Sequence, residues 1–380
     1  MFLSKRHAAR LELGIASLLI VTGTLASSAL SDDFTIDTPT NTTNGGFTLD
    51  GDDMLSITED GSIETSAASG VEATGGHIVV VNDGRIETEG VGAIGITNFD
   101  SDHSTITNNG SISSKSGGIF NAISYGTTVT NNGTITTAGN ESFGIVNSLS
   151  NNSTVLNAGS IFTSDDGADG INNTGSNNSM VTNSGVISTA GEGADGIFQI
   201  ISAGTVIVNS GSITTRRFET HGIFYWSSDG AAVTNSGSIL VEGENSYGIY
   251  NAYLSNNTTV SNSGSIRATA AASTGITVIE ATNVSVTNSG FLVSEQGDAL
   301  YIADSTNSTL NLSAPGYIGG SIHLGPDGTA VNFETGASHS VLWTLDGDIT
   351  GGDPVISGDV PGFYNASTKQ FATYDPSALA

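Results

Sequence analysis

The sequence predicts an all-β protein, a right-handed parallel β-helix of about eleven coils with a period of about 26 residues. Three observations predict it: a short phrase that recurs along the chain, the nearly constant spacing of its glycine, and a second recurring Gly-Ile pair. A fixed period in this range is typical of a solenoid, in which each repeat buries its apolar face only by stacking on its neighbours.

The recurring phrase reads (Ile/Val)-Thr-Asn-(Ser/Asn)-Gly-Ser-Ile in its clearest copies. Most intervals between its glycines are 26 residues, two are 23 and one is 27. Apolar and polar residues alternate on both sides of the glycine with the period of two that half-buried strands show. The phrase therefore predicts two short strands joined at a corner. Its glycines are Gly61, Gly84, Gly110, Gly133, Gly159, Gly185, Gly211, Gly237, Gly264, Gly290 and Gly316.

The Gly-Ile pair predicts a third strand in each coil. Its glycine follows the phrase glycine by 11 residues in most coils, but by only 8 between Gly110 and Gly118. We expect the segment of variable length to be a loop outside a constant frame. A left-handed β-helix would show a hexapeptide apolar period, which is absent, so the right-handed form is favoured. The Gly-Ile glycines are Gly95, Gly118, Gly144, Gly170, Gly196, Gly222, Gly248 and Gly275.

One asparagine stands two residues before the phrase glycine in nine coils. We expect these amides to stack at one corner, each bonded to the amides above and below, and to accept a left-handed backbone bend. The glycines next to them are expected to supply positive φ or close backbone approach. We interpret both columns as structural. The asparagines are Asn82, Asn108, Asn131, Asn157, Asn183, Asn209, Asn235, Asn262 and Asn288.

The two ends of the chain depart from the repeat. Lys5, Arg6 and Arg10 precede an apolar run at 15–25 and small residues, which predicts a signal peptide over residues 1–31 with cleavage after Ala29 or Ser31. A membrane anchor is the alternative, and the apolar run is short for it. We expect residues 32–55 to be an N-terminal cap, 56–323 the parallel β-helix repeats, and 324–380 a C-terminal cap and linker.

The charge of the chain limits its partners. With 37 Asp and Glu against 9 Lys and Arg, the formal net charge is −28. Nucleic-acid binding requires clustered cations, so it is not expected, and adhesion to anionic lipid by charge alone is disfavoured as well. The chain has no cysteine, so its coils must be held by core packing and backbone hydrogen bonds.

The two phrases over residues 56–323, behind a signal peptide and in an acidic cysteine-free chain, resemble the passenger domains of bacterial autotransporters, the type V secretion family. The tail at 357–368 is similar to the segment that joins such passengers to their barrel. The resemblance implies secretion through the periplasm to the cell surface or the extracellular space. It also implies adhesion or aggregation through a host or neighbouring-cell surface protein or glycan. The sequence lacks the strands of a translocator barrel, so membrane attachment is expected only through a missing or separately encoded one.

No catalytic, cofactor or metal site is predicted. The segment 191–196 matches GxGxxG, but it opens a strand, whereas dinucleotide binding needs a helix N-terminus. Two neighbouring corners carry acidic residues whose oxygens could hold Ca²⁺, and we favour a solvated acidic face. These residues are Asp165, Asp166, Asp169, Glu192 and Asp195.

Two other functions are weighed against adhesion. A β-helix polysaccharide lyase or hydrolase is the alternative, but a catalytic site normally interrupts a repeat, and the regular spacing leaves no room for an insertion. A threonine array that binds ice is a poor fit, because Leu156 and Val208 interrupt the outward column. We therefore expect a protein that is not an enzyme.

The most individual stretch, 216–226, combines paired arginines with several aromatic residues. Aromatic side chains beside charged donors suit contact with carbohydrate or protein. The other interpretation is that Phe224 and Trp226 fill the core while the arginines decorate a loop. Candidate contact residues are Arg216, Arg217, Phe218, Tyr225, Trp226, Tyr250 and Tyr253.

The same repeat assigns inward and outward faces. Ile223 is expected to point inward and to touch its equivalents Ile197 and Ile249, while Thr234 is expected to point outward.

Overall fold

The structure is a computed structural model that describes residues 31–42, 46–313, 316–325 and 329–334, with the strands 342–344, 349–351, 355–358, 362–365 and 370–373. Residues 1–30, which hold almost all of the predicted signal peptide, lie outside the described residues. Every regular element in these ranges is a β-strand, and the predicted all-β parallel β-helix with a period of about 26 residues is confirmed. Within them no helix has the length and apolarity needed to cross a membrane.

The chain divides into two compact units, unit 1 (Met1–Ser202) and unit 2 (Ala203–Ala380). Each coil of unit 1 contributes three short strands, and strands at the same place in successive coils pair in parallel. The first strands are β1 (Asp33–Ile36), β4 (Met54–Ile57), β7 (Val79–Asn82), β10 (Thr105–Asn108), β13 (Thr128–Asn131), β16 (Thr154–Asn157) and β19 (Met180–Asn183). The second strands are β2 (Pro39–Thr42), β5 (Ser62–Thr65), β8 (Arg85–Thr88), β11 (Ser111–Ser114), β14 (Thr134–Thr137), β17 (Ser160–Thr163) and β20 (Val186–Thr189). The third strands are β3 (Phe47–Asp50), β6 (Val71–Thr74), β9 (Ile96–Phe99), β12 (Ile119–Ala122), β15 (Ile145–Ser148), β18 (Ile171–Thr174) and β21 (Ile197–Ile200).

Unit 2 repeats this plan with longer third strands. Its first strands are β22 (Val206–Asn209), β25 (Ala232–Asn235), β28 (Thr259–Asn262), β31 (Ser285–Asn288), β33 (Thr309–Ser313), β35 (Ala330–Glu334) and β38 (Val355–Gly358). The remaining strands of its coils are β23 (Ser212–Thr215), β24 (His221–Trp226), β26 (Ser238–Val241), β27 (Tyr247–Ala252), β29 (Ser265–Ala268), β30 (Thr274–Ile279), β32 (Phe291–Ala303), β34 (Tyr317–Leu324) and β37 (Ile349–Gly351). A separate antiparallel sheet contains β36 (Leu342–Thr344), β39 (Gly362–Asn365) and β40 (Gln370–Thr373).

The ladder register follows the sequence repeat residue by residue. Ile106 is paired with Val129, and Ile112 with Ile135. Equivalent apolar residues of successive coils are therefore direct neighbours across the paired strands. These side chains are buried. In unit 2 the predicted inward residue Ile223 is fully buried and in register with Ile249, whereas Thr234 is half-buried on the outward face. Stacked β-branched side chains thus form the core, as the alternation predicted.

The predicted asparagine stack is present in both units. In unit 1 the Asn131 amide donates to Asn157 at 2.7 Å and accepts from Asn108 at 2.7 Å. In unit 2 the Asn235 amide donates to Asn262 at 2.8 Å. The expected left-handed bend at these residues is wrong, because each is the last residue of a strand and positive φ occurs at other corners, as at Asn152.

The phrase glycines are required for close approach. A Cβ atom on Gly133 would lie 1.9 Å from the carbonyl oxygen of Gly110, and one on Gly110 would lie 2.0 Å from that of Gly84. No side chain fits at those distances, and neither glycine has a positive φ. Of the two roles expected for these glycines, the structure selects close approach.

Both segments expected to be caps contain solenoid strands. β1, β2 and β3 lie in the 32–55 segment and pair in parallel with β4, β5 and β6. Beyond residue 323, β35 pairs with β33, β38 with β35 and β37 with β34, again in parallel. Parallel coils are therefore found on both sides of the predicted repeat region.

Candidate functional site

The predicted contact residues lie on unit 2, around the third strands of two consecutive coils. Arg216, Arg217 and Phe218 occupy the corner between β23 and β24, and all three are exposed. Trp226 ends β24 and is half-buried. The next coil supplies the half-buried Tyr250 on β27 and Tyr253 directly after it.

Two aromatic contacts organise this surface. The rings of Phe224 and Tyr250 are 5.1 Å apart at cross-strand positions, and those of Trp226 and Tyr253 are 5.4 Å apart. Aromatic pairs at such distances pack favourably beyond the area they bury. Phe224 is itself buried, as one interpretation of the sequence expected, so the accessible rings are those of Trp226, Tyr250 and Tyr253.

His221 packs against both rings of the first contact, Phe224 and Tyr250. Its ring stacks on Tyr247 with centroids 4.9 Å apart and meets Tyr250 edge-on at 5.2 Å. The backbone N–H of Tyr247 donates to His221 Nδ1 at 3.1 Å. The aromatic side chains of β24 and β27 therefore form one packed group with little freedom to rearrange.

Tyr225 does not belong to this surface. It is fully buried and faces the interior of the coil, because it follows Phe224 in a strand whose side chains alternate between two faces. Burial raises the pKa of its hydroxyl well above the ordinary value. Tyr225 is thus a core residue. The other six predicted residues remain as the candidate surface, with Arg216, Arg217 and Phe218 before β24 and Trp226 at the last position of that strand.

Burial and nearby charged groups set the electrostatics of the surface. Arg216 Nε lies 3.4 Å from Glu242 Oε2 in an exposed ion pair, which is weak because solvent screens it. Burial, followed by the neighbouring Tyr247, raises the pKa of Tyr250, and burial followed by Glu280 raises the pKa of Tyr253. The phenols therefore stay neutral and keep their O–H donors at physiological pH.

A second candidate site, which the sequence reasoning missed, is a cavity of about 580 Å³ in unit 1. We call it the unit 1 hollow. It lies where the corner between β11 and β12 is three residues shorter than its neighbours, so a cavity opens over the outward faces of β12 and β15. The short interval from Gly110 to Gly118 was the sequence signal for it. Its lining includes Phe120, Phe143, Val146, Ser148, Asn172 and Thr174, with Lys115 and Glu141 at the rim.

A cavity of about 660 Å³ in unit 2 contains two carboxylates. β32 is irregular there, since its register with β34 shifts between Val293 and Asp298. Arg267 Nε donates to Glu295 Oε1 at 2.8 Å. Burial raises the pKa of Asp298, and the nearby His323 opposes that shift. Glu295 is thus paired with an arginine, whereas the raised pKa of Asp298 favours the neutral form of its carboxyl group.

The two acidic corners of unit 1 differ from the expected solvated face. Asp166 is exposed as expected, but Asp169 and Asp195 are fully buried, so the expectation is wrong for these two. Asp169 accepts from the Asn172 amide at 3.1 Å and from the backbone N–H of Asp195 at 2.7 Å. At this corner the two fixed donors take the place of the water molecules that would otherwise solvate the Asp169 carboxylate. In the part of the chain that the structure describes, no group of three or more His, Asp or Glu residues is arranged to hold a metal ion.

A second buried amide column was also missed. In unit 1, Asn98 donates to Asn121 at 2.8 Å, Asn121 to Asn147 at 2.7 Å, and Asn147 to Asn173 at 2.7 Å. These residues occupy the fourth place of Gly-Ile-x-Asn in successive coils. Tyr225 holds the equivalent place in the first of the long third strands of unit 2, which is the reason for its burial.

Comparison with known proteins relates the chain to one family of domains. A family model described as the BigA third pectate lyase-like domain matches residues 98–278. None of the curated proteins compared with the chain matches it. Among solved structures, tailspike protein 3 of bacteriophage CBA120 aligns with a TM-score of 0.36 and 10% identity. The alignment covers 88% of this chain and 57% of the tailspike, so the chain spans little more than half the length of that protein. A TM-score of this size does not establish a common fold.

The coils and the family match agree on the class of domain. Over residues 98–278 the chain is similar to a pectate lyase-like domain, and its stacked parallel strands are those of a β-helix. The candidate surface at 216–253 lies inside the matched range, as do the residues that line the unit 1 hollow except Val91 and Gly92.

Proposed function

We propose that this chain is an exported β-helix passenger of the autotransporter type that acts in adhesion or aggregation at the cell surface and catalyses no reaction. The match to a pectate lyase-like domain and the regular coils support a passenger-like solenoid. The strongly acidic, cysteine-free composition is part of the resemblance to such passengers.

The observations that carry this proposal are the exposed corner Arg216-Arg217-Phe218 before β24 and the paired rings of Trp226 and Tyr253 at the other end of that strand. Arginine, tryptophan and tyrosine dominate the binding energy of protein interfaces when they are held rigidly. Here the two rings pack on each other, and the corner is mounted on a ladder of parallel strands. An exposed surface of this composition suits contact with a protein on a host or neighbouring cell.

Cell binding by purified variants tests the proposal. We expect Arg217→Ala combined with Trp226→Ala to weaken binding to a responsive cell line at least about tenfold, since each anchor truncation costs more than about 1 kcal/mol. Phe162→Ala is the control, because Phe162 is an exposed aromatic residue on unit 1, away from the candidate surface. Its binding should equal that of the unaltered protein.

Treatment of the target cells separates the two kinds of partner. Protease treatment of the cells should abolish binding, and periodate oxidation of their glycans should leave it intact. Binding lost only after periodate would replace the protein partner by a glycan. Equal binding by the double variant and the unaltered protein would remove this surface from the function.

The alternative is an enzyme acting on polysaccharide, and one observation favours it. Glu295 and Asp298 line one cavity, and burial raises the pKa of Asp298, as a general acid of a glycosidase requires. Reducing-end release from a panel of acidic and neutral polysaccharides tests it. Turnover that Asp298→Asn abolishes would establish the enzyme, whereas no release from any member of the panel supports adhesion.

A further inference from the structure

The walls of the unit 1 hollow are fastened to each other by hydrogen bonds between successive corners. The Ser116 hydroxyl accepts the backbone N–H of Gly92 at 2.7 Å. The Ser142 hydroxyl donates to the Lys115 carbonyl at 2.7 Å. The short corner is therefore bonded to the corner before it and to the corner after it, and the opening between them has a fixed width. A cavity with fixed walls loses little conformational entropy when a ligand enters.

The floor of the hollow combines apolar and polar groups. Phe120 and Val146 face outward from β12 and β15, and Phe143 adds a second ring from the wall. On the next coil, in β18, the Asn172 amide donates to Asp169 at 3.1 Å and accepts from the Thr174 hydroxyl at 2.7 Å. These bonds fix its orientation and leave one N–H and one lone pair for a ligand.

Ser148 provides an unused hydroxyl at this floor. It is only 8% exposed and lines the hollow, and its hydroxyl forms no hydrogen bond with any residue that the structure describes. Its Oγ is not among the fully buried atoms that lack a partner, so it reaches the solvent in the hollow, where water can satisfy it. The remaining direction for its O–H is into the hollow, where a ligand hydroxyl could bond to it.

The charges at the rim favour a neutral ligand. The exposed Lys115 and the half-buried Glu141 have opposite signs, so they nearly cancel at the mouth. The chain as a whole has a net charge of −28, which repels anions over distances of about a Debye length, roughly 10 Å. A single cation beside a carboxylate does not offset that repulsion.

We infer that the unit 1 hollow binds a short neutral oligosaccharide. The apolar C–H face of a pyranose ring packs on Phe120 and Phe143, and its hydroxyls bond to Ser148 and Asn172. A volume of about 580 Å³ lies within the usual range of small-ligand cavities, roughly 300–1,000 Å³. This site lies on unit 1 and takes a small ligand, so it is independent of the macromolecular contact proposed for unit 2.

Titration of the full chain with disaccharides tests this inference. Saturation-transfer NMR and calorimetry would use cellobiose, lactose and N,N′-diacetylchitobiose as neutral probes and digalacturonate as the acidic probe. We expect at least one neutral probe to bind and digalacturonate to bind at least about tenfold more weakly. Ser148→Ala should weaken the neutral probe about five- to tenfold, since one hydrogen bond is lost. Val146→Phe, which fills the hollow from its floor, should abolish binding.

Ser113→Ala is the matched control, because Ser113 is half-buried on β11 and does not line the hollow. Its affinity should be unchanged, and circular dichroism should show the same β content in all variants. Binding that survives both Ser148→Ala and Val146→Phe would place the sugar elsewhere and overturn the inference. So would no binding by any neutral probe, or digalacturonate binding as tightly as the best of them. None of these outcomes depends on the cell-binding assay.

Discussion

Asn131 shows how single residues hold successive coils together. Its amide is fully buried and takes part in two hydrogen bonds of 2.7 Å, one as donor to Asn157 and one as acceptor from Asn108. It also bonds to backbone carbonyls at the corner. A primary amide carries its N–H donors and its carbonyl acceptor on opposite edges of one planar group, so each copy can donate to one neighbour and accept from the other. The residue type is therefore dictated by the stack.

Asn131→Asp keeps the shape of this side chain but removes the donor. Two oxygens then face each other across the column, and a charge is buried without a counter-charge, so we expect a loss of about 3–5 kcal/mol of unfolding free energy at pH 8. Burial raises the folded pKa of the new carboxyl above its unfolded value near 3.9. The loss therefore grows as pH rises through the folded pKa and is smaller at pH 5. Urea unfolding at both pH values measures it.

Asn132→Asp is the control for this substitution. Asn132 is the next residue, and its amide bonds to Asn109 at 2.8 Å on the exposed side of the corner. We expect its loss to stay within about 0.5 kcal/mol at both pH values. Equal losses of unfolding free energy for the two variants would mean that the buried asparagine column is no more important for stability than the exposed amide contact.

At the scale of one coil, stability depends on which face of a strand a side chain occupies. Ile223 is fully buried on β24, whereas Thr234 is half-buried on the outward face of β25. Ile223→Ala should cost about 2–5 kcal/mol, because it leaves a cavity between stacked side chains. Thr234→Ala should cost less than about 1 kcal/mol. Chemical denaturation of both variants measures the difference, and small, equal costs would contradict the assignment of faces.

The same scale explains why part of the candidate site was predictable. The repeat marks Arg216, Arg217 and Phe218 as a departure from the common corner, and the structure places all three at the surface. Tyr225 and Trp226 were both proposed as contacts, yet neighbours in a strand face opposite sides, so one of them had to be buried. Ile223 of the Gly-Ile pair is buried, and Tyr225, two residues later in the same strand, lies on the same inward face.

The unit 1 hollow could not be predicted in the same way. In the sequence, the interval from Gly110 to Gly118 is three residues shorter than in the other coils. This difference indicates a short corner but does not predict a cavity. The cavity arises because Val91, which is 99% exposed, and the 138–143 segment on neighbouring coils do not close over the gap. That outcome depends on the path of three successive corners, and a linear repeat contains no information about it.

At the scale of the whole molecule, the repeat predicted the class of fold because one register explains most of the chain. The ends were less predictable. The strands β1, β2 and β3 lack both phrases and still pair with the next coil, since Phe34↔Leu55 and Leu49↔Ala73 continue the apolar positions without the usual glycine and asparagine. Parallel pairing of the strands thus does not require the recurring phrase. The phrase instead identifies the corners in the coils that contain it.

The net charge of −28 leads to the last prediction, which concerns the stability of the whole chain in salt. The ion pairs found among the described residues, such as Arg85–Glu64 and Arg216–Glu242, are exposed and contribute little. Repulsion among the excess carboxylates therefore outweighs them. Raising NaCl from 10 to 200 mM shortens the Debye length from about 30 Å to less than 10 Å. We expect the Tm at pH 7.5 to rise by a few degrees, which corresponds to about 1 kcal/mol for a chain of this size. Calorimetry in NaCl and in KCl would measure it. An equal rise in both salts is the expected result of screening, whereas a fall in Tm, or a rise in NaCl alone, would show that specific pairs or a bound cation dominate instead.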